Sequence, residues 1–307
     1  APRHAYLFTG PKGIGRRTLA LRFAQAINAE NPSQPGEYNP TSTSSKQFEN
    51  MQHPDLSIVK KEEGSRDIKI DAVRALQQTV ALSPYTAKNR IALLLNYEEA
   101  SRGAANALLK TLEEPPGNLV LLLTAESPEM LLPTIVSRCE VMRLRPVALE
   151  TLSAGLQKQW DIPVKKANFL AHVSSGRPGY ALYLHQNPQE LEIRTAWLND
   201  HIELIHANRV GRFSYAQAIA KDKNQFTQLL FVWLSYWRDV LLQSGHTQTP
   251  LSNIDRHSEI VDLASALDPS VAANIIKVIE RTIALLRKNI NVRLVAEILL
   301  LELPKLS

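Results

Sequence analysis

The chain has one cysteine, Cys139, among 307 residues. A single thiol excludes an internal disulfide and a four-cysteine zinc site. The eight histidines are too scattered to supply a metal cluster instead. Nothing in this usage asks for an oxidising compartment, and a cytoplasmic protein is the expectation. Long hydrophobic runs are missing as well. None reaches the ~18–20 residues of a membrane span, so no membrane association is expected. No secretory leader is read, and the four residues before the first strand, Ala1 to His4, leave the true N-terminus open. Charge of one sign is also in short supply. The formal net charge is +5, with acids and bases interspersed. A mild basic excess permits contact with nucleic acid but does not argue for sequence-specific binding.

What is present is ample core material. Hydrophobic residues make up 44% of the chain, and its length divides into two or three domains. The most informative stretch is Gly10 to Thr18, GPKGIGRRT. It follows a short apolar run, Ala5 to Phe8, and opens a run with helical spacing, Leu19 to Ile27. Strand, glycine loop and helix in that order are the context of a phosphate-binding loop. Gly10, Gly13 and Gly15 fit its glycine skeleton. The working positions are altered. Arg16 stands where the motif has Lys, Arg17 stands where it has a Ser or Thr hydroxyl for Mg²⁺, and Thr18 comes one residue too late.

Beyond the loop, residues 29–52 are rich in Pro, Ser, Thr and Asn and are expected to form a mobile surface excursion. His53-Pro54-Asp55-Leu56 ends it. Strands are expected at 56–59, 90–95, 119–124 and 140–144. The runs at 90–95 and 119–124 are apolar on both faces, as in central parallel strands. Helical spacing covers 71–82, 101–114 and 128–136. This alternation implies an α/β parallel sheet with helices on both faces over about 145 residues. After Pro146 strand signals vanish. Short helices are expected at 149–160, 165–174 and 179–184. The tail is expected to be helical throughout, with a 3.6-residue period from Phe226 to Leu241 and further helices at 271–288 and 292–303.

Four stretches together carry a family resemblance: HAYLFTGPKGIGRRTLA, HPDL at 53–56, AANALLKTLEEPP at 104–116 and PTIVSRC at 133–139. The chain resembles bacterial DNA polymerase III clamp-loader subunits of the AAA+ class. The resemblance implies a RecA-like AAA+ domain over 1–145, a helical lid over 146–190 and a helical collar over 191–307 that builds an oligomeric ring. Its implied partners are gamma/tau-like motor subunits and a delta subunit in a hetero-pentamer, with the sliding clamp and primer-template DNA reached through that complex. Nothing in the chain resembles a polymerase site.

The family contains motor subunits that hydrolyse ATP and delta-prime subunits that often do not. Arg16 keeps a charge but is longer and planar, and Arg17 would repel a cation rather than ligate one. Where the family's second motif places adjacent acids, the chain has Leu95 and Asn96, and Glu98 and Glu99 nearby read as solvated loop acids. Thr124 stands at the γ-phosphate-sensing position. Gly179 occupies the place of the lid arginine, two residues from Arg177. These departures imply a ring member without hydrolysis of its own, and weak phosphate or nucleotide binding at the loop stays open. Ser137-Arg138-Cys139 matches the family's SRC motif, which implies that Arg138 is an arginine finger acting in trans, with Cys139 a small buried residue rather than a nucleophile. Family members commonly carry a four-cysteine zinc module before HPDL. Residues 29–52 contain no cysteine, so no zinc is expected. A motor-type ATPase with unusual motifs and a free-standing DNA-binding module are the alternatives.

Overall fold

The computed structural model describes residues 2–305 except 31, 33, 35, 287 and 289. Its contacts fall into two units, Ala1–Pro146 and Val147–Ser307.

In the first unit the elements run β1 (Ala5–Thr9), α1 (Arg16–Ile27), α2 (Thr43–Glu49), β2 (Leu56–Val59), α3 (Ile70–Val80), β3 (Arg90–Leu94), α4 (Arg102–Glu113), β4 (Leu119–Ala125), α5 (Pro133–Val136) and β5 (Glu140–Arg143). The strands form one sheet in the order β2-β3-β4-β1-β5. Every pairing is parallel, with Ala5 beside Leu121 and Arg90 beside Leu119. All residues of β3 and β4 are buried, as their two-sided apolar runs require. Alternate side chains feed separate cores. Leu7, Ala92, Leu94, Leu121 and Leu123 pack with α3 and α4, whereas Phe8, Ile91, Leu93, Val120 and Leu122 pack with α1.

Two segments differ from expectation. Residues 43–49, expected to be part of a mobile excursion, form α2. Ser42 caps it by accepting from the Ser45 N–H. Phe48 is fully buried and stacks on His53 with ring centroids 4.0 Å apart, and the Gln25 side-chain amide donates to the Ser45 carbonyl at 2.6 Å. One buried aromatic anchors an otherwise polar stretch. Residues 31, 33 and 35 of that excursion lie outside the described residues. The single helix expected at 128–136 is instead a 3₁₀ turn at Pro128–Met130 followed by the short α5. Pro133 cannot donate an N–H, and it holds Leu132 extended at φ −61°, ψ 133°, which separates the two turns.

HPDL is a structural joint. Asp55 is fully buried and accepts from the N–H groups of Tyr85, Thr86 and Ala87 at 2.6, 2.8 and 2.9 Å. Arg90 Nη2 reaches the same carboxylate at 3.3 Å. The joint fixes the loop that enters β3, and so the register of the strand whose far end builds the candidate site.

The second unit is helical: α6 (Leu149–Trp160), α7 (Val164–Val173), α8 (Pro178–Gln186), α9 (Pro188–His206), α10 (Arg209–Ile219), α11 (Lys223–Ser244), α12 (His257–Ala266), α13 (Pro269–Leu286) and α14 (Val292–Glu302). It holds two apolar clusters, one over α6 to α8 and a larger one centred on α11. Phe226, Leu229, Leu230, Trp233, Trp237 and Val240 of α11 are buried at helical spacing. The buried Arg212 donates to the carbonyls of Leu204 and Ile205, and to those of Leu300, Leu303 and Pro304. One guanidinium thereby satisfies the carbonyl ends of α9 and α14. Among the described residues no helix is long and apolar enough to cross a membrane.

Candidate functional site

The glycine loop leaves the carboxyl end of β1 and enters α1, at the end of a parallel sheet where ligands of open α/β folds bind. Its backbone explains two of its glycines. Gly10 has φ +149°, and a Cβ there would lie 2.7 Å from the Leu144 carbonyl oxygen. Gly15 caps α1 in the left-handed region at φ 102°. Gly13 also has positive φ, 84°.

Arg16 is the first residue of α1, and its side chain is only 9% exposed. Nη2 donates to Asn96 Oδ1 at 3.2 Å, and Nη1 lies 3.7 Å from Glu98 Oε1. Glu98 is therefore not the solvated loop acid that its position past the strand suggests. Asn96 adopts a left-handed backbone at φ 49°, and the 3₁₀ turn Tyr97–Glu99 brings Glu98 inward. Burial pushes the Glu98 carboxyl up, partly offset by backbone hydrogen bonding and the Arg16 guanidinium. Glu99 behaves as expected, pairing with Lys61 at 2.8 Å at the surface.

The Arg16–Glu98 pair lies where three strand ends are tied together. The Glu126 N–H donates to Glu98 Oε1 at 3.3 Å, while the Gly10 N–H donates to the Glu126 carbonyl at 3.1 Å. Thr124 is buried, and its hydroxyl oxygen accepts the Asn96 N–H at 2.8 Å. Leu95 packs against the α1-side core. Arg17 and Thr18 are exposed and line a recess of about 210 Å³ with Arg22 and Glu49. Arg177 caps α8, donates from Nε to the Ser174 carbonyl at 2.7 Å and lies over the Tyr180 ring at 4.5 Å.

Ser137-Arg138-Cys139 directly follows α5. The Arg138 side chain is half-exposed, with Nη1 donating to the Thr134 carbonyl and Nη2 to Glu113 Oε1, each at 2.9 Å. The Ser137 hydroxyl donates to the Thr134 carbonyl at 3.2 Å. Cys139 is half-buried against the α4-side core, and burial pushes its thiol up to about 12. Burial thus disfavours the thiolate form that a nucleophile would need. Among the described residues no group of three or more His, Cys, Asp or Glu side chains is placed to hold a metal ion.

A five-stranded parallel sheet with β1 between β4 and β5, and a glycine loop joining β1 to α1, defines a RecA-like AAA+ domain, here followed by a helical C-terminal region. Comparison with known proteins narrows the class. Residues 1–148 match the family model described as DNA polymerase III, delta subunit. The chain is 31% identical to DNA polymerase III subunit delta' of Pseudomonas aeruginosa, over 97% of this chain and 89% of that protein. It is 29% identical to DNA polymerase III subunit delta' of Bacillus subtilis, over 98% and 91%. A solved gamma-subunit-related protein of DNA polymerase III from Thermotoga maritima is 16% identical, with a TM-score of 0.47 over 97% of this chain and 93% of that one. The chain belongs to the DNA polymerase III delta' subunit family.

Proposed function

We propose that the chain is a delta-prime-type subunit of a clamp loader, inert toward nucleotide itself and supplying Arg138 in trans to the nucleotide of an adjacent motor subunit. The observation that carries this reading is the engagement of Arg16 with Asn96 and Glu98. A hydrolysing site needs a cation on the β- and γ-phosphates, a hydroxyl and a carboxylate on Mg²⁺, and a group that positions water. Here the loop cation is already paired, Arg17 replaces the hydroxyl, and Leu95 and Asn96 directly follow β3. These residues do not fit a magnesium nucleotide.

Arg138 has the opposite character. It is half-exposed on a short helix end, and its partner Glu113 is exposed too. A guanidinium whose ion pair is open to solvent can exchange its carboxylate for a phosphoryl group of a neighbour at little cost. The proposed setting is a cytoplasmic hetero-pentamer with gamma/tau-like motor subunits and delta, which loads the sliding clamp on primed DNA. The lid and collar are assigned to the helical region, and the exposed Leu294, Ile298 and Leu301 along one face of α14 support packing of the collar in the ring.

Reconstitution with candidate ring partners tests the proposal. The isolated chain is expected to release no phosphate from Mg·ATP, and ATP turnover of the assembly is expected to depend on its presence. Turnover by the isolated chain would instead support a motor-type ATPase. Salt-sensitive binding of primer-template by the isolated chain would support a DNA-binding module.

A further inference from the structure

We propose that Arg16 is an internal stopper of the phosphate loop: its guanidinium, drawn to Asn96 and Glu98, is withheld from the anion site of its own glycine loop, and releasing it uncovers magnesium-independent binding of a polyphosphate. The inference rests on the nucleotide-inert reading and deepens it.

The glycine loop retains what an anion needs from backbone. It turns into α1, a helix of 12 residues whose first-turn N–H groups have no partner within the helix and whose dipole favours negative charge. A helix start alone is not a site. The second observation is a buried charge pair that is incompletely satisfied. The side chains of Arg16 and Glu98 are each only 9% exposed. Arg16 Nη1 and Glu98 Oε2 nevertheless have no hydrogen-bond partner among the described residues. Arg16 Nη1 lies 3.7 Å from the other carboxylate oxygen, Glu98 Oε1, an ion-pair distance and too long for a hydrogen bond. The guanidinium is thus held by one hydrogen bond, to Asn96, and one stretched Coulomb contact.

That geometry decides which interaction wins. Burial penalises both charges, and a pair that leaves donors and acceptors open recovers little of the penalty. It persists because each partner is the other's neutralising charge. Remove the carboxylate, and Arg16 is left buried and unpaired next to a helix start that favours anions. A phosphate oxygen would then satisfy Nη1 and neutralise the guanidinium together. Magnesium plays no part, since Arg17 stands where its hydroxyl ligand would be.

The probe is inorganic tripolyphosphate, titrated calorimetrically without divalent cations into the full chain. Asn96→Ala/Glu98→Ala is expected to bind at least about tenfold more tightly than the unsubstituted chain, ~1.4 kcal/mol. The gain should shrink with added salt and vanish when Arg16→Ala is added. Circular dichroism and a thermal melt establish that each variant is folded. If the double variant does not fold, Glu98→Gln keeps the side-chain shape and is read in the same way. A folded variant with unchanged affinity, or a gain that survives Arg16→Ala, overturns the stopper. Binding and turnover of Mg·ATP by the unsubstituted chain would overturn the nucleotide-inert reading instead, so the two failures are distinguishable.

Discussion

Arg138 Nη2 donates to Glu113 Oε1 at 2.9 Å, joining the SRC motif to the last residue of α4. Both side chains are exposed, 36% and 53%. Exposed pairs of this kind contribute ~0–1 kcal/mol to stability. Arg138→Ala is therefore expected to leave the denaturant midpoint almost unchanged. Its effect on the reconstituted assembly should be large, because an arginine finger is worth ~10³–10⁵ in rate at the site it serves. Steady-state ATPase of the assembly should fall by that site's share. Unaltered turnover with Arg138→Ala correctly incorporated would remove the finger assignment.

Arg17→Thr restores the side chain that the phosphate-loop motif has at this position, and is expected to restore no activity. The new hydroxyl would still face Arg16 paired with Asn96 and Glu98, and Leu95 and Asn96 offer no carboxylate at the strand end. Single-turnover phosphate release from Mg·ATP should stay at the level of buffer. Measurable hydrolysis would mean that Glu98 or Glu99 supplies the missing acid after all.

Asp55→Ala probes the joint behind the site. The substitution leaves Arg90 buried without its carboxylate and orphans the N–H groups of Tyr85, Thr86 and Ala87. Breaking a buried pair this way costs ~3–5 kcal/mol, to be read from urea unfolding. Burial pushes the Asp55 carboxyl up, but the three N–H donors and the Arg90 guanidinium outweigh it and hold it below the usual carboxylate range. A depressed folded value means that the contribution is intact above the ordinary carboxylate range. It is lost only as pH falls through the lower folded value. Asp55→Ala should therefore cost the same at pH 6 and pH 8.

The same residues mark what the sequence makes legible. The central strands announce themselves because burial on both faces demands unbroken apolar runs, and α11 because a 3.6-residue stripe has no other use. α2 hides because one aromatic, Phe48, carries its packing while Ser and Thr fill the rest. Proximity of Arg16 and Glu98 is invisible to spacing. It depends on the left-handed turn at Asn96, and counting residues past a strand end assumes that the chain keeps going straight. The substitutions in the glycine loop could be read from the sequence; that Arg16 is engaged inside the fold could not. An acid shortly after a strand, together with an arginine at the loop's lysine position, is the only signal that could have suggested it. α9 is obscured for a related reason. Its buried face includes Arg194, which donates to Asn253 and Asp255, and His201, which accepts from Trp237.

His201 gives that helix a pH signature. It is fully buried between Trp233 and Trp237, and its Nε2 accepts the Trp237 indole N–H at 2.8 Å. An acceptor role requires the neutral ring. Burial, reinforced by the Arg212 charge, pushes its pKa down to about 3. The unfolded chain takes up the proton near the ordinary value of ~6.5, and the folded chain does not. Stability is therefore full above pH 6.5 and declines as the medium is acidified, by ~1.4 kcal/mol per pH unit for this one group. Between pH 6.5 and pH 5 that amounts to ~2 kcal/mol. His201→Gln keeps an acceptor for Trp237 but cannot titrate. Its urea midpoint should start lower at pH 7, from imperfect packing, and fall less steeply on acidification. Parallel pH profiles for the two proteins would mean that His201 is not the group responsible.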